Sequence, residues 1–249
     1  MATRLVGILR QVFTWVFTAL YVPCILVVCL VISSEKRAKI GPKMVRGWGK
    51  TVLFAARIKV NITPRAKAAL SSRQARVLTF NHGSTLDVPV GASLLPDGGV
   101  LAIKDEMKKV PFMGAGLRAL GSVFINRGNR DAAYASLETG VNRIQTETLQ
   151  VLIAPEGTRS PDGSLGRFKR GAFHLAHGAQ VPILPIVLHG CAAIWPLGNF
   201  APIGGEIHVD VLEPFTVEEG TPDGLVVAAD SLRGLYENAL AKGVEDSSG

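Results

Sequence analysis

From residue 57 onward, short aliphatic runs alternate with segments of helical periodicity, and this restricts the fold more than any other feature of the chain. Strands are predicted at 57–62, 76–80, 99–103, 122–126, 150–154, 182–188 and 206–212. Helices are predicted between them, at 87–95, 104–120 with a break near Pro111, 130–147, 169–178 and 222–242. The alternation predicts an α/β fold: a mixed, largely parallel central sheet with flanking helices on both faces. Pro182 and Pro185 within one run predict an edge strand or an interrupted one.

The N-terminal part of the chain is apolar over a long stretch. No charged residue occurs from Gln11 to Ser34, and a helix of that length extends about 36 Å, enough for a hydrocarbon core of about 30 Å. The stretch is too long for the core of a cleaved signal peptide. Two interpretations stay open: a transmembrane helix, or a helix within one leaflet, bent at Pro23 and paired with the following segment. Residues 1–56 are therefore predicted to be membrane-anchoring helices, and 57–249 a separate globular domain.

Charge and composition agree with a membrane partner. Hydrophobic residues make up 47% of the chain, and its net charge is +7. Basic residues crowd the segment after the apolar stretch: Lys36, Arg37, Lys39, Lys43, Arg46, Lys50, Arg57 and Lys59. This block favours anionic lipid headgroups over nucleic acid, because no base-reading motif accompanies it. It also predicts attachment to an inner or cytoplasmic membrane, with the globular domain on the cytoplasmic side.

Polar clusters follow four of the predicted strands directly. Their sequences are NHGSTLD, KDE, NRGNR and PEGTRS. Ligands of α/β proteins bind at the carboxyl ends of the strands. The four clusters are therefore expected to form one site.

The first cluster contains a histidine and an aspartate five residues apart, His82 and Asp87. A carboxylate on one ring nitrogen fixes the imidazole tautomer, so that the other nitrogen can take a proton from a hydroxyl group. The pair could instead be a loop residue and a helix cap. Ser84 offers a third possibility, a serine hydrolase, although the G-x-S-x-G elbow is missing.

The other clusters contribute cations. Lys104, Arg127 and Arg159 follow three different strands, and three cations in one pocket predict a substrate that carries a phosphate. Glu156 is expected to hold Arg159 or another loop, or to orient a substrate hydroxyl. His174 and His177 have a spacing that could bind a metal, but no third ligand accompanies them.

Four blocks, in order, resemble a known family. NHGSTLD, GSVFINRG, PEGTRS and VPILPIVLHG are similar to the signature blocks of the glycerolipid acyltransferases, in particular the 1-acyl-glycerol-3-phosphate acyltransferases. The resemblance covers about residues 57–212, and the apolar N-terminus looks like that family's membrane anchor. Ala154 departs from the pattern, because an aromatic residue often stands there.

The resemblance implies a glycerol-3-phosphate acyltransferase-like fold and specific roles. His82 would be the catalytic base and Asp87 its orienting acid. The residues implied in headgroup binding are Lys104, Arg127, Glu156, Gly157, Thr158 and Arg159. The implied reaction moves an acyl chain from acyl-carrier protein or acyl-CoA to the sn-2 hydroxyl of 1-acyl-glycerol-3-phosphate, without a metal or cofactor. A backbone N–H near Gly83 or Gly157 is expected to hold the oxyanion.

Two other functions remain open at this point. The acceptor could be a different lyso-lipid, such as lyso-ornithine lipid, since only the acceptor pocket would differ. A protein of another class, a membrane-binding protein without catalysis, would share the fold but not require His82 and Asp87.

Overall fold

The structure is a computed structural model that describes residues 2–126, 128–160 and 163–243, and within these ranges seven strands form one sheet. The strands are β1 (Ile58–Ile62), β2 (Arg76–Phe80), β3 (Gly99–Lys104), β4 (Val123–Ile125), β5 (Gln150–Ile153), β6 (Ile183–His189) and β7 (Gly205–Val211). Their order across the sheet is β1-β7-β6-β2-β5-β3-β4. All neighbours pair in parallel except β6 and β7, which pair antiparallel. The predicted mixed, largely parallel sheet is confirmed.

Helices cover both faces of this sheet. They are α1 (Ala2–Val31), α2 (Ser34–Ala55), α3 (Pro64–Leu70), α4 (Asp87–Leu94), α5 (Met113–Ala119), α6 (Arg130–Glu147), α7 (Gly171–Ala179), α8 (Cys191–Ile194) and α9 (Pro222–Lys242). Helices α6, α7 and α9 pack on one face around Val77, Val151 and Ile183. Helices α2, α4 and α8 pack on the other face, around Leu78, Leu152 and Leu184, each of which directly follows one of these three residues. Successive strand residues point to opposite faces, so each central strand contributes to both cores.

The N-terminal helices form an antiparallel pair. Residues 32 and 33 connect α1 to α2, and Ser33 caps α2 by accepting the Lys36 N–H. Helix α2 is not an isolated anchor, because its Val45 and Leu53 side chains lie in the core with β2 and α4. A Cβ at Gly49 would lie 2.5 Å from the Pro89 carbonyl oxygen of α4, so this close approach requires glycine. The domain boundary at residue 56 coincides with the end of α2 and stays a prediction.

For the proline-containing strand, the predicted edge position is wrong, whereas the alternative of an interrupted strand describes its pairing with one neighbour. β6 is third in the sheet order, not at an edge, and it continues through Pro185. The ladder to β7 covers residues 186–189, and Ile183 bridges to Phe215 beyond the end of β7. Pro185 falls between these two contacts, where its carbonyl accepts the Leu212 N–H. The missing N–H therefore interrupts pairing with one neighbour only, and β6 can occupy an interior position.

The short elements agree with the prediction at one place and differ from it at another. The predicted helix at 104–120 divides at Pro111, as expected, into a 3-10 helix (Asp105–Lys109) and α5. Helices α3 and α8 were not predicted. Thr63 caps α3 and Pro64 begins it, which is a recognisable signal for the start of a helix. The helix was missed because the segment is too short to show a helical pattern of apolar residues.

Candidate active site

His82 and Asp87 meet at the carboxyl end of β2. The distance from His82 Nδ1 to Asp87 Oδ2 is 3.3 Å, and both side chains are largely buried. The same Oδ2 accepts the Ser84 N–H at 2.6 Å, which closes the turn between them. A proton on Nδ1 is then the arrangement that satisfies the carboxylate, and it leaves the lone pair on Nε2. Leu86 occupies the N-cap position of α4, so Asp87 is not the helix cap considered above.

Asn81, the residue immediately before the histidine, is held in place by its own side chain. Its side-chain nitrogen donates to the Leu188 carbonyl at 2.9 Å, and its oxygen accepts the Leu188 N–H at 2.8 Å. This pair of bonds ties the end of β2 to the end of β6. Sequence reasoning missed Asn81 as a site residue. The available signal was its place between the strand and His82.

Glu156 holds the histidine from the other side. One carboxylate oxygen accepts the His82 backbone N–H at 2.6 Å, and the other accepts the Gly166 N–H at 2.7 Å. The residue is buried, and burial raises the pKa of this carboxyl above its usual range, against the lowering effect of the two backbone bonds. Of the expected alternatives, the geometry matches the one in which Glu156 holds another loop. Both oxygens are engaged, so Glu156 acts on the site through the backbone of His82.

Ser84 is not positioned as a nucleophile. It is fully buried, and its hydroxyl lies 2.7 Å from the Trp195 carbonyl and 3.1 Å from the Cys191 carbonyl. It also accepts the Leu86 N–H at 3.0 Å. The hydroxyl therefore joins the histidine loop to α8, and the serine hydrolase alternative lacks an accessible Oγ.

The second oxygen of Asp87 is buried. Oδ1 is buried and makes no hydrogen bond of ordinary geometry to the part of the chain that the structure describes. The buried Cys191 thiol lies beside the carboxylate. Burial, and then the charge of Asp87, raise the pKa of this thiol well above its usual range. Cys191 thus stays a neutral thiol behind the His82–Asp87 pair.

The expected cations are placed unequally. Arg159 is exposed and its Nη1 donates to Thr85 Oγ1 at 2.8 Å, which brings it to the histidine loop beside the exposed Thr158. Lys104 is exposed at the end of β3, where its side chain forms no hydrogen bond or ion pair with other described residues. Arg127 lies outside the described residues.

The loop after β5 lies close to the histidine loop. Gly157 has a positive φ of 75°, and its N–H donates to the Ala154 carbonyl at 3.2 Å. A Cβ at Gly83 would be 2.6 Å from the Gly163 carbonyl oxygen. The two loops therefore touch backbone to backbone, which only a residue without a side chain permits at position 83.

Histidines elsewhere have ordinary partners. His174 Nε2 lies 2.8 Å from Glu138 Oε1, between α7 and α6, and its ring packs edge-on against Tyr134. His177 packs against Gly220. Across residues 2–126, 128–160 and 163–243, no group of three His, Cys, Asp or Glu side chains is arranged to hold a metal ion.

Comparison with known proteins agrees with the motif resemblance. Residues 59–189 match the family described as Acyltransferase. The mouse (Mus musculus) protein named 1-acyl-sn-glycerol-3-phosphate acyltransferase alpha is 34% identical over 184 residues, which cover 73% of this chain and 62% of that protein. The Saccharomyces cerevisiae 1-acyl-sn-glycerol-3-phosphate acyltransferase is 30% identical over 166 residues, 66% of this chain and 55% of that protein. The chain thus spans less than two thirds of the length of these curated relatives.

A solved structure has the same fold. The crystal structure of the 1-acyl-sn-glycerophosphate (LPA) acyltransferase PlsC from Thermotoga maritima matches with a TM-score of 0.76 and 21% identity. The match covers 98% of this chain and all of that one, so the likeness includes the N-terminal helices. The family match covers more than half of the chain, from β1 to the end of β6, and contains His82, Asp87 and Glu156. This chain therefore belongs to the Acyltransferase family.

Proposed function

We propose that the protein transfers an acyl chain from an acyl thioester, on acyl-carrier protein or coenzyme A, to the sn-2 hydroxyl of 1-acyl-glycerol-3-phosphate, forming phosphatidic acid. The observation that carries the proposal is the buried His82–Asp87 pair at the carboxyl edge of the sheet, with Nε2 available. Membership of the Acyltransferase family and similarity to proteins named 1-acyl-sn-glycerol-3-phosphate acyltransferase support the substrate.

In the proposed reaction, His82 acts as general base. Nε2 takes the proton of the acceptor hydroxyl as that oxygen attacks the thioester carbonyl carbon, and Asp87 stabilises the resulting imidazolium. The tetrahedral intermediate expels the thiolate, which receives a proton from the imidazolium, and the new oxygen ester remains. Thioesters are activated and thiolates leave readily, so these steps require no metal.

The oxyanion of the intermediate needs a hydrogen-bond donor. Of the two expected candidates, the Gly157 N–H already donates to the Ala154 carbonyl. Gly83 directly follows the base, and its N–H forms no hydrogen bond with other described residues. We therefore assign the oxyanion to the Gly83 N–H.

The headgroup phosphate is assigned to the cations of the loops. Arg159 is the strongest candidate, because its hydrogen bond to Thr85 holds its side chain against the histidine loop. Thr85 precedes Asp87 by two residues in that loop. Thr158 is exposed beside Arg159, and Lys104 stands at the end of a neighbouring strand. Arg127 is included among the proposed phosphate ligands on the basis of the sequence alone. Gly157 contributes the turn, and Glu156 serves as a positioning residue rather than a phosphate ligand.

Membrane attachment is proposed through α1, and the helix packing favours burial in one leaflet. Val6–Val31 is long and apolar enough to cross a membrane by length and composition. However, Trp48 Nε1 of α2 donates to Thr18 Oγ1 at 3.1 Å, and a Cβ at Gly116 of α5 would lie 3.9 Å from the Val22 carbonyl oxygen of α1. A lone crossing by α1 would carry α2, with its exposed lysines, into the hydrocarbon. We place the globular part on the cytoplasmic side, from the basic flank of α1.

The test compares wild type with His82→Ala in detergent, using 1-acyl-glycerol-3-phosphate and an acyl thioester. Loss of the base should lower the rate by roughly 10²–10⁴. His177→Ala, in the last turn of α7 where the ring packs against Gly220, is the matched control and should retain wild-type rate. Equal activity of His82→Ala and wild type contradicts the mechanism. Wild-type activity on another lyso-lipid alone would keep the chemistry and change the acceptor.

A further inference from the structure

Three large apolar side chains are exposed together near the end of α2. Phe54, Phe200 and Ile203, here called the Phe54 patch, are 85%, 60% and 78% exposed. Phe54 lies three residues before Arg57, whose carbonyl accepts the Gly205 N–H at 3.1 Å. Ile203 lies two residues before Gly205. Two segments far apart in the chain thus meet at Arg57 and Gly205, and each carries exposed apolar side chains close to that meeting point.

The loop that carries two of these side chains is well fixed. The Ile203 N–H donates to the Ile194 carbonyl at 3.1 Å, and Trp195 Nε1 donates to the Asn199 carbonyl at 2.8 Å. Backbone bonds to α8 at one end and to Arg57 at the other hold the loop. The exposure of Phe200 and Ile203 therefore belongs to an ordered surface, and an ordered apolar surface of this kind marks a binding site.

One member of the patch, Phe54, lies on the side of α2 that faces α1. Gly47 of α2 faces α1, since a Cβ there would lie 3.1 Å from the Tyr21 hydroxyl. Phe54 follows Gly47 by two helical turns and lies on the same side of α2, about 10 Å further along. Because α1 and α2 are antiparallel, Phe54 is level with the part of α1 where Phe13 and Val16 are exposed.

Charge indicates the occupant. Lys50 and Arg57 flank Phe54, both exposed, and neither forms an ion pair with another described residue. Apolar side chains beside unpaired cations suit an interface between hydrocarbon and anionic headgroups. The patch also lies near the carboxyl ends of the parallel strands, where His82 is located. β7 is antiparallel to β6, so the start of β7 lies beside the carboxyl end of β6.

We propose that the Phe54 patch enters the same lipid leaflet as α1, as a second membrane contact that turns the catalytic edge of the sheet toward the lipid. The inference rests on the proposed attachment of α1. Two separated contacts fix the orientation of a body that one helix alone would leave free to tilt. The acceptor hydroxyl can then reach His82 while its acyl chain stays in the leaflet.

The experiment uses spin labels on the full-length protein. Cys24 is the exposed cysteine, and Cys29 and Cys191 are buried, so Cys24→Ser supplies the background. Single labels are attached after Ile203→Cys in the patch, Val16→Cys in α1 and Val227→Cys in α9. Val227 is the matched control, 64% exposed on the opposite face of the sheet. Collision rates with oxygen and with a water-soluble nickel chelate are measured with vesicles of phosphatidylcholine and phosphatidylglycerol.

The expected result is a several-fold rise in the oxygen-to-nickel collision ratio at residues 16 and 203, with no change at 227. If residue 16 reports lipid and residue 203 reports water, α1 is attached but the Phe54 patch is not a membrane contact, and the inference is wrong. If residues 16 and 203 both report water, the proposed attachment of α1 fails and the inference fails with it.

Discussion

At the scale of single residues, the histidine is held by its backbone as much as by its side chain. The side chain of Asn81, which directly precedes the histidine, is hydrogen-bonded to β6. Glu156, from the loop after β5, accepts the His82 N–H. β2 lies between β5 and β6, so the proposed base is held from both neighbouring strands. Preorganisation of this kind keeps Nε2 in place without reorganisation during reaction.

Glu156→Gln should lower kcat while leaving KM for the lysolipid nearly unchanged. An amide has one oxygen acceptor, so either the His82 or the Gly166 N–H loses its partner. Loss of a hydrogen bond to a charged group, about 1.5–3 kcal/mol, corresponds to roughly 10- to 100-fold in rate. The measurement is steady-state kinetics with Glu218→Gln, an exposed glutamate, as control. A raised KM with unchanged kcat would instead assign Glu156 to the headgroup.

The raised pKa of Glu156 makes its contribution to stability depend on pH. Between the ordinary glutamate value of about 4.3 and the raised folded value, the folded protein binds the proton more tightly than the unfolded chain. This contribution is therefore largest at low pH and falls as pH rises through that window. Melting temperatures measured from acid to neutral pH should show wild type losing stability relative to Glu156→Gln across the window. A constant difference would contradict the assignment.

At the scale of elements, the position of Asp87 depends on the crossing of α2 and α4. Asp87 is the first residue of α4, and α4 packs on α2 at Gly49. The arrangement links the N-terminal helix pair to Asp87 through one helix–helix contact. Backbone contact at this crossing allows little adjustment, since interiors are close-packed.

Gly49→Ala should separate α2 from α4 and destabilise the protein by about 1–3 kcal/mol, because its Cβ would lie 2.5 Å from the Pro89 carbonyl oxygen. Activity should fall as well, through displacement of Asp87. Gly234→Ala is the control: it lies in α9 with open space around it and should stabilise the protein by about 0.5–1 kcal/mol. Denaturant unfolding in detergent measures both. Unchanged stability of Gly49→Ala would show that the crossing can relax.

At the scale of the whole molecule, the distribution of charge should govern binding to membranes. The net charge of +7 includes the basic block beside α1. Such a block attracts anionic leaflets by about 1 kcal/mol for each cation near the surface, and salt screens the attraction.

Lys50→Gln should therefore weaken binding to vesicles that contain phosphatidylglycerol by about fivefold at low salt, with the difference shrinking in about 1 M NaCl. Lys242→Gln, at the exposed end of α9, removes the same charge far from the proposed surface and should bind as wild type does. Flotation of vesicles measures both variants. Equal loss for the two lysines would mean that only the total charge matters.

Much of the architecture was predictable because its causes are local. The seven strands were located from aliphatic runs, and Pro111 correctly marked the break before α5. Pro185 left an edge strand and an interrupted strand open, because the position of a strand in the sheet depends on which strands pair beside it, and a proline is tolerated where one ladder is interrupted. No local sequence pattern distinguishes an interrupted ladder from a strand at the edge of the sheet.

The candidate site divides in the same way. His82 and Asp87 lie five residues apart, within reach of a single turn, so the sequence determined their pairing, as it determined the apolar character of α1. Only the tertiary structure decided the roles of Asn81 and Glu156, whose partners lie 107 and 74 residues away. Hydrogen bonds across such separations exist only once β5, β2 and β6 are adjacent, and that order is set by packing of the whole sheet.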